Sequence, residues 1–305
     1  MHRSLAMALA AFTTIACANE GEADGASSAT DESSGSSGAD AEAGTSSADG
    51  DPDAGTEGGS EGAGEGTNDG GSDTGEELPQ WAKLIRSDPY PRLVIELDWT
   101  PGFEPQPEVA DDILALFSTL LDKPGGIELV MDEVITAKGE GAWTSSDRVA
   151  AAQEYRTLEI ADDAIKVHVM FVDGHAAEDD EMSGAILGYA WGTTIMMFKD
   201  TIQTSCANAV LGPLQDQLCR DTEYLIWSHE FGHVIGLVDN GLPMVMDHKD
   251  PVPEHGDHDE NSDCVMYWAY TSTDALDSLV DRLLANEPPI EFDDACLADI
   301  EAAKQ

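Results

Sequence analysis

Apolar and polar positions divide this chain into clear segments. Residues 92–99, RLVIELDW, are dense in β-branched and long apolar side chains, as a buried strand requires. After a Pro/Gly loop, Val109, Ile113, Leu116, Phe117, Leu120 and Leu121 fall at helical spacing, closed by Pro124-Gly125-Gly126. IELVMDEVI (127–135) reads as a second strand, and SSDRVAAAQEYR as a helix with Ser146 as N-cap. IKVHVMFVDG (165–174) alternates as a third strand, and AILGYAWGTTIMMFKDTI (185–202) holds one or two more, broken near Gly192. DTEYLIWSHEFGHVIGL (221–237) predicts a helix of about four turns that stops at Gly236. TDALDSLVDRLLAN (273–286) is amphipathic through Leu276, Leu279, Val280, Leu283 and Leu284, and DDACLADIEAAK (293–304) makes a last short helix. Strands alternating with helices predict an α/β (α+β) fold, with several sheet strands ahead of the long helix.

The first 78 residues do not share this patterning. Arg3 precedes LAMALAAFTTIA, an apolar run too short to span a bilayer comfortably, and the run ends at Cys17. The TIAC segment resembles a bacterial lipoprotein box, with Thr14 where a leucine-like residue is usual; that implies lipidation of Cys17 and export. An ordinary secretory signal, cut near Ala16 or Ala18, is the alternative. Residues 18–78 are then a Gly/Ser-rich acidic tether, and residues 18–77 lack Lys, Arg and aromatic residues. Nothing in such a segment can offset the entropy of ordering, so disorder is expected. The folded domain is expected over 79–305.

Charge narrows the partners. The chain carries −47, and 17 of its 61 acidic residues lie in 18–77, leaving about −30 elsewhere. That argues against nucleic acid and anionic membrane surfaces as partners. A membrane contact is expected only through a lipid anchor, and a monomer is expected. Besides Cys17 there are Cys206, Cys219, Cys264 and Cys296, an even number that suggests two disulfides in an exported chain. Of three pairings, Cys206–Cys219 and Cys264–Cys296 are preferred: the first two are close in sequence, and the last two lie on one side of the candidate site.

The chemistry concentrates at WSHEFGHVIGLVDNG (227–241). His229 and His233, at i and i+4, share a helix face, so both imidazoles can reach one Zn²⁺. Glu230 lies one step round the helix, placed to act as general base on a water without being a ligand. Downstream comes HDENSDCVMYWAY (258–270). HExxHxxGxx followed by CVMY resembles the metzincin clan of zinc peptidases, in which a third ligand follows the helix and a tight turn sets a methionine under the metal. The resemblance implies a twisted mixed sheet, an active-site helix, a Met-turn at Met266, C-terminal helices, and hydrolysis of peptide bonds in exported or periplasmic proteins. It covers about residues 90–270, with only 229–266 at motif grade.

Two candidates stand for the third ligand. Asp239 sits six after His233, as in snapalysin-like members. His258 lies eight before Met266, and its segment resembles the archaemetzincin HCxxxxCxM with Asp259 in place of the first cysteine. His258 is preferred, because imidazole keeps the site at lower net charge and its local match is longer. On that reading 239–257 is an insertion, whose His248, Asp250, Glu254, His255 and Asp257 could hold Ca²⁺ or a structural Zn²⁺ or simply form a solvated loop. The acidic 173–181 stretch reads as a plain loop, and His168 as structural. Tyr267 or Tyr270 is a guess for an oxyanion partner. Substrate is expected to lie extended along an edge strand near GTTIMMFKD (192–200). The rival function is a non-catalytic, zinc-containing surface lipoprotein, whose metal a fourth protein ligand would close.

Overall fold

Alternation in the strands builds two apolar faces on one sheet. A computed structural model describes residues 77–179, 184–209, 211–273 and 275–305. The expected signal, Cys17 and nearly all of the tether lie outside the described residues. Strands β1 (Arg92–Trp99), β2 (Gly126–Val134), β4 (Ala164–Val172), β6 (Gly188–Trp191) and β7 (Thr194–Phe198) form a sheet in the order β2-β1-β4-β7-β6. The three pairs of neighbours from β2 to β7 run parallel, and β6 alone is antiparallel, returning against β7 with Tyr189 opposite Met196 and Trp191 opposite Thr194. A small parallel pair, β3 (Ala142–Trp143) with β5 (His175–Ala176), lies apart from it.

Val167, Val169, Phe171, Ile195 and Met197 point to one face; Met170, Val172, Met196 and Phe198 point to the other. The first face carries the larger core, closed by α1 (Gln80–Ile85), α2 (Pro107–Leu120), α4 (Lys199–Asn208), α5 (Gln215–Val234), α6 (Ala275–Ala285) and α7 (Asp294–Ala303). Phe117 of α2 stacks on Phe231 of α5 with ring centroids 3.6 Å apart. The second face is covered by Trp143 and by Ala151 and Ala152 of α3 (Ser145–Tyr155). The architecture is therefore α/β with a mostly parallel sheet.

Several boundaries differ from expectation for local reasons. Thr144, not Ser146, caps α3: its hydroxyl accepts from Asp147 N while the Asp147 carboxylate accepts from Thr144 N, a reciprocal capping box. Residues 199–202 open α4 rather than extending a strand. There Lys199 is buried and its Nζ donates to the Glu223 carboxylate of α5, which also accepts from Gln106 N at 2.8 Å. An ion pair satisfied this fully can be buried, and it overrides the apolar run that suggested strand. Helix α1, only six residues long, has too little periodicity to be read from the sequence. Helix α5 ends as expected: Gly236 takes φ +83° and Leu237 N donates to Gly232 O at 3.0 Å.

Candidate metal centre and cleft

Helix α5 carries His229, Glu230 and His233 into the core beside the sheet edge. Its segment from Leu225 to Gly232 is buried throughout, so the fold fixes these side chains rather than leaving them on a surface. Residues 248–267 fold back to meet it. Asp250 N donates to His258 O at 2.8 Å, Glu260 N to His248 O at 3.1 Å, and Asp259 N to Met266 O at 2.9 Å. This ladder delivers His258 to the helix. The Nε2 atoms of His229, His233 and His258 then form a triangle with sides of 3.1, 3.2 and 3.2 Å.

That triangle is unfavourable without a cation. His229 Nδ1 donates to Val265 O at 2.7 Å, and His258 Nδ1 donates to His255 O, so their Nε2 atoms turn lone pairs inward. Burial, with the neighbouring imidazoles, holds the His229 pKa well below the usual value; burial and then His258 push His233 down to about 3. Burial also lowers His258. The rings are therefore neutral, and with both Nδ1 atoms donating elsewhere, the Nε2 atoms of His229 and His258 have no proton to share between them. Two nitrogens on one tetrahedral Zn²⁺ lie about 3.3 Å apart, which matches the triangle. The donor set fits zinc.

Glu230 completes the centre. It is buried, and burial pushes its carboxyl up to about 8. Gly188 of the edge strand makes its room: a Cβ there would lie 2.8 Å from Glu230 Oε1. Gly232, between the two histidines, does the same for the Met-turn, since a Cβ there would lie 2.2 Å from Met266 Sδ. Sequence reasoning missed both glycines. A glycine inside a helix costs about 1 kcal/mol against alanine, and that cost was the available signal at position 232. The centre opens on a cleft of about 370 Å³ lined by Ile186, Tyr189, Ala190, Asn240, Asp257 and Thr271 among others.

The remaining candidates lie elsewhere. Asp239 is not brought to the triangle; it is exposed and accepts from Lys249 Nζ at 3.2 Å. Tyr270 is buried with its hydroxyl on Ser262 O at 2.5 Å, and Tyr267 packs against Trp268 and Tyr270; neither lines the cleft, whereas Tyr189 does. His168 Nε2 donates to the buried Asp98 carboxylate at 2.7 Å, consistent with a structural role. The 173–181 stretch is not a plain loop over its described part, since His175–Ala176 form β5; around that strand Asp173 accepts from Lys138 N at 3.0 Å and from Gly139 N, and Glu178 pairs with Arg148 at 2.8 Å. The edge strand is β6, not the 192–200 stretch: β7 is interior, because the chain doubles back at Gly192 and places β6 outside it.

Behind the Met-turn lies a second group, His248, Asp259, Asp293 and Cys296, with donor atoms within 4.8 Å of one another. His248 bridges Asp259 Oδ2 at 2.5 Å and Asp299 Oδ2 at 2.9 Å. The hydrogen bond with Asp259 foremost, then that with Asp299, raises His248 to about 9, against some opposition from burial. Both ring nitrogens are thus spent on carboxylates, and the group is a charged imidazole neutralised in place. Were the imidazole deprotonated, the group's one thiol and one ring nitrogen would suit Zn²⁺ better than Ca²⁺, which takes oxygens. Among the described residues no group of carboxylates alone closes to this spacing, so the structure offers no support for Ca²⁺. Of the expected disulfides, Cys206–Cys219 is formed, with Cα atoms 5.3 Å apart. Cys264 and Cys296 are neighbours but unbonded, buried thiols with Sγ atoms 3.7 Å apart, almost twice a disulfide length.

No family model matches the sequence, and no curated protein matches it. Among solved structures, the fold is similar to a zinc-dependent peptidase from Methanocorpusculum labreanum (strain Z), at 14% identity and TM-score 0.43 over 68% of this chain and 99% of that one. It is also similar to archaemetzincin from Methanopyrus kandleri, at 15% identity and TM-score 0.43 over 70% of this chain and 96% of that one. Likeness this distant leaves the functional reading to the geometry of the site itself.

Proposed function

We propose that this chain is a zinc-dependent endopeptidase. The observation that carries the proposal is the triangle of three neutral imidazole nitrogens with buried Glu230 beside it. His229, His233 and His258 would hold the ion, which supplies carbonyl polarisation and a more acidic water. Glu230 takes the proton from the attacking water and returns it to the leaving amine. Its raised pKa in the apolar site suits both halves of that exchange; a nearby cation would draw it down toward the range of a base. The outward backbone of β6 lines the cleft and offers an extended peptide a strand to pair with.

A closed structural zinc would need a fourth protein donor. The group among the described residues has three, and its remaining side faces the cleft. Zinc content and casein cleavage, measured on wild type, Glu230→Gln, His258→Ala and Asp239→Ala, test the proposal. Glu230→Gln keeps metal and loses hydrolysis; a wild type that binds zinc yet cleaves no peptide defeats it. Export and a lipid anchor on Cys17 belong to the same proposal. Detergent-phase partition that Cys17→Ser abolishes is the expected result, and partition unaltered by that change counts against the anchor.

A further inference from the structure

A second cavity, of about 380 Å³, continues the cleft past His233. Its walls include Gln80 and Trp81 of α1, Ala190 and Gly192 of the β6–β7 hairpin, and Val234 of α5; Ala190, His233 and Asn240 line both cavities. Gln80 Nε2 donates to Gly192 O at 2.7 Å and to Val234 O at 2.9 Å, so one side chain ties all three walls together. Pro79, Trp81, Ala190 and Val234 supply apolar surface, and no lining residue is acidic or a lysine or arginine. On a chain of −47 that neutrality sets the cavity apart.

The edge strand points substrate toward it. In a two-residue hairpin the pair flanking the turn, here Trp191 and Thr194, is hydrogen-bonded, and Phe198 N donating to Leu187 O at 3.0 Å keeps the same phase. Gly188 and Ala190 therefore turn their amide and carbonyl groups outward. A peptide pairs better antiparallel than parallel. Its N-terminal side would then run from Gly188, beside Glu230, toward Gly192, about 13 Å along the edge.

Resting on the peptidase reading, we infer that this cavity is a specificity subsite for an uncharged apolar side chain, aromatic or long aliphatic, about three residues before the scissile bond. The free edge of β6 leads a paired peptide to this cavity, so the occupant is substrate.

The test uses the zinc-loaded full chain and peptides that differ only at that position. Phe or Leu there should give kcat/KM about tenfold or more above Asp. In Trp81→Ala the ratio of Phe to Gly peptides should fall toward one. Since Trp81 also packs against the core, Pro79→Glu at the exposed rim gives a second reading: it should turn the preference from Phe toward Lys. The same peptides are titrated calorimetrically onto zinc-loaded Glu230→Gln. Selective binding without hydrolysis by wild type ends the peptidase reading and keeps the subsite. Equal rates for Phe, Gly and Asp, or a preference that neither variant moves, overturn the subsite. Neither binding nor hydrolysis overturns both.

Discussion

One buried group holds three histidines and another is built around the single His248, and their surroundings give them opposite chemistry. At His229, His233 and His258 no carboxylate bonds an imidazole nitrogen; burial holds the rings neutral, and their three Nε2 atoms converge. At His248 two carboxylates hold the ring, and it keeps its proton to about 9. A buried imidazole without anions asks for a metal; one between anions makes its own ion pair. Residue type alone does not separate them. The hydrogen-bond partner of each nitrogen does.

The largest effect expected is at the first cluster. Glu230→Gln should lower peptide hydrolysis by about 10²- to 10⁴-fold with zinc retained, while His258→Ala should shed the metal; atomic absorption alongside a cleavage assay measures both. Wild type should carry one zinc per chain. A count of two would mean that the second cluster also ligates and that the contrast is misdrawn. Gly232→Ala forces a methyl group into Met266 and should destabilise by about 1–3 kcal/mol in urea unfolding, a prediction lost if the variant unfolds at the wild-type midpoint.

His248→Gln sharpens the contrast through pH. The folded-state pKa of about 9 lies above the ordinary 6.5, so the stabilisation is fully present below 6.5 and fades as pH climbs to 9. Wild type should exceed the variant by on the order of 2 kcal/mol at pH 6, with the gap closing by pH 9.5. A gap that stays constant across that window would show the imidazole is not protonated. The smallest effect belongs to Asp239→Ala. It breaks an exposed contact to Lys249, so stability should shift by less than about 0.5 kcal/mol with zinc content unchanged.

The strands, the long helix and the HExxH pair were legible because each has a local period. His229 and His233 need only one helix to meet. Bringing a third imidazole to them needs a fold: Asp239 and His258 both satisfied spacing rules, and the ladder through Asp250, Glu260 and Asp259, which no local pattern encodes, is what sets His258 beside the pair. The edge strand was misplaced for a similar reason. GYAW and TIMMF are both apolar, and only the sheet order shows which lies outside. Cys264 and Cys296 were rightly brought together but wrongly bonded, since proximity in a fold does not fix oxidation state.

The bond between Cys206 and Cys219 joins α4 to α5. Helix α4 continues directly from the β6–β7 hairpin, and α5 bears His229, Glu230 and His233, so the two walls of the cleft are riveted together at their rear. Dithiothreitol should slacken that grip before it melts the sheet. If the proposed peptidase activity holds, it should be greatest where thiols are scarce.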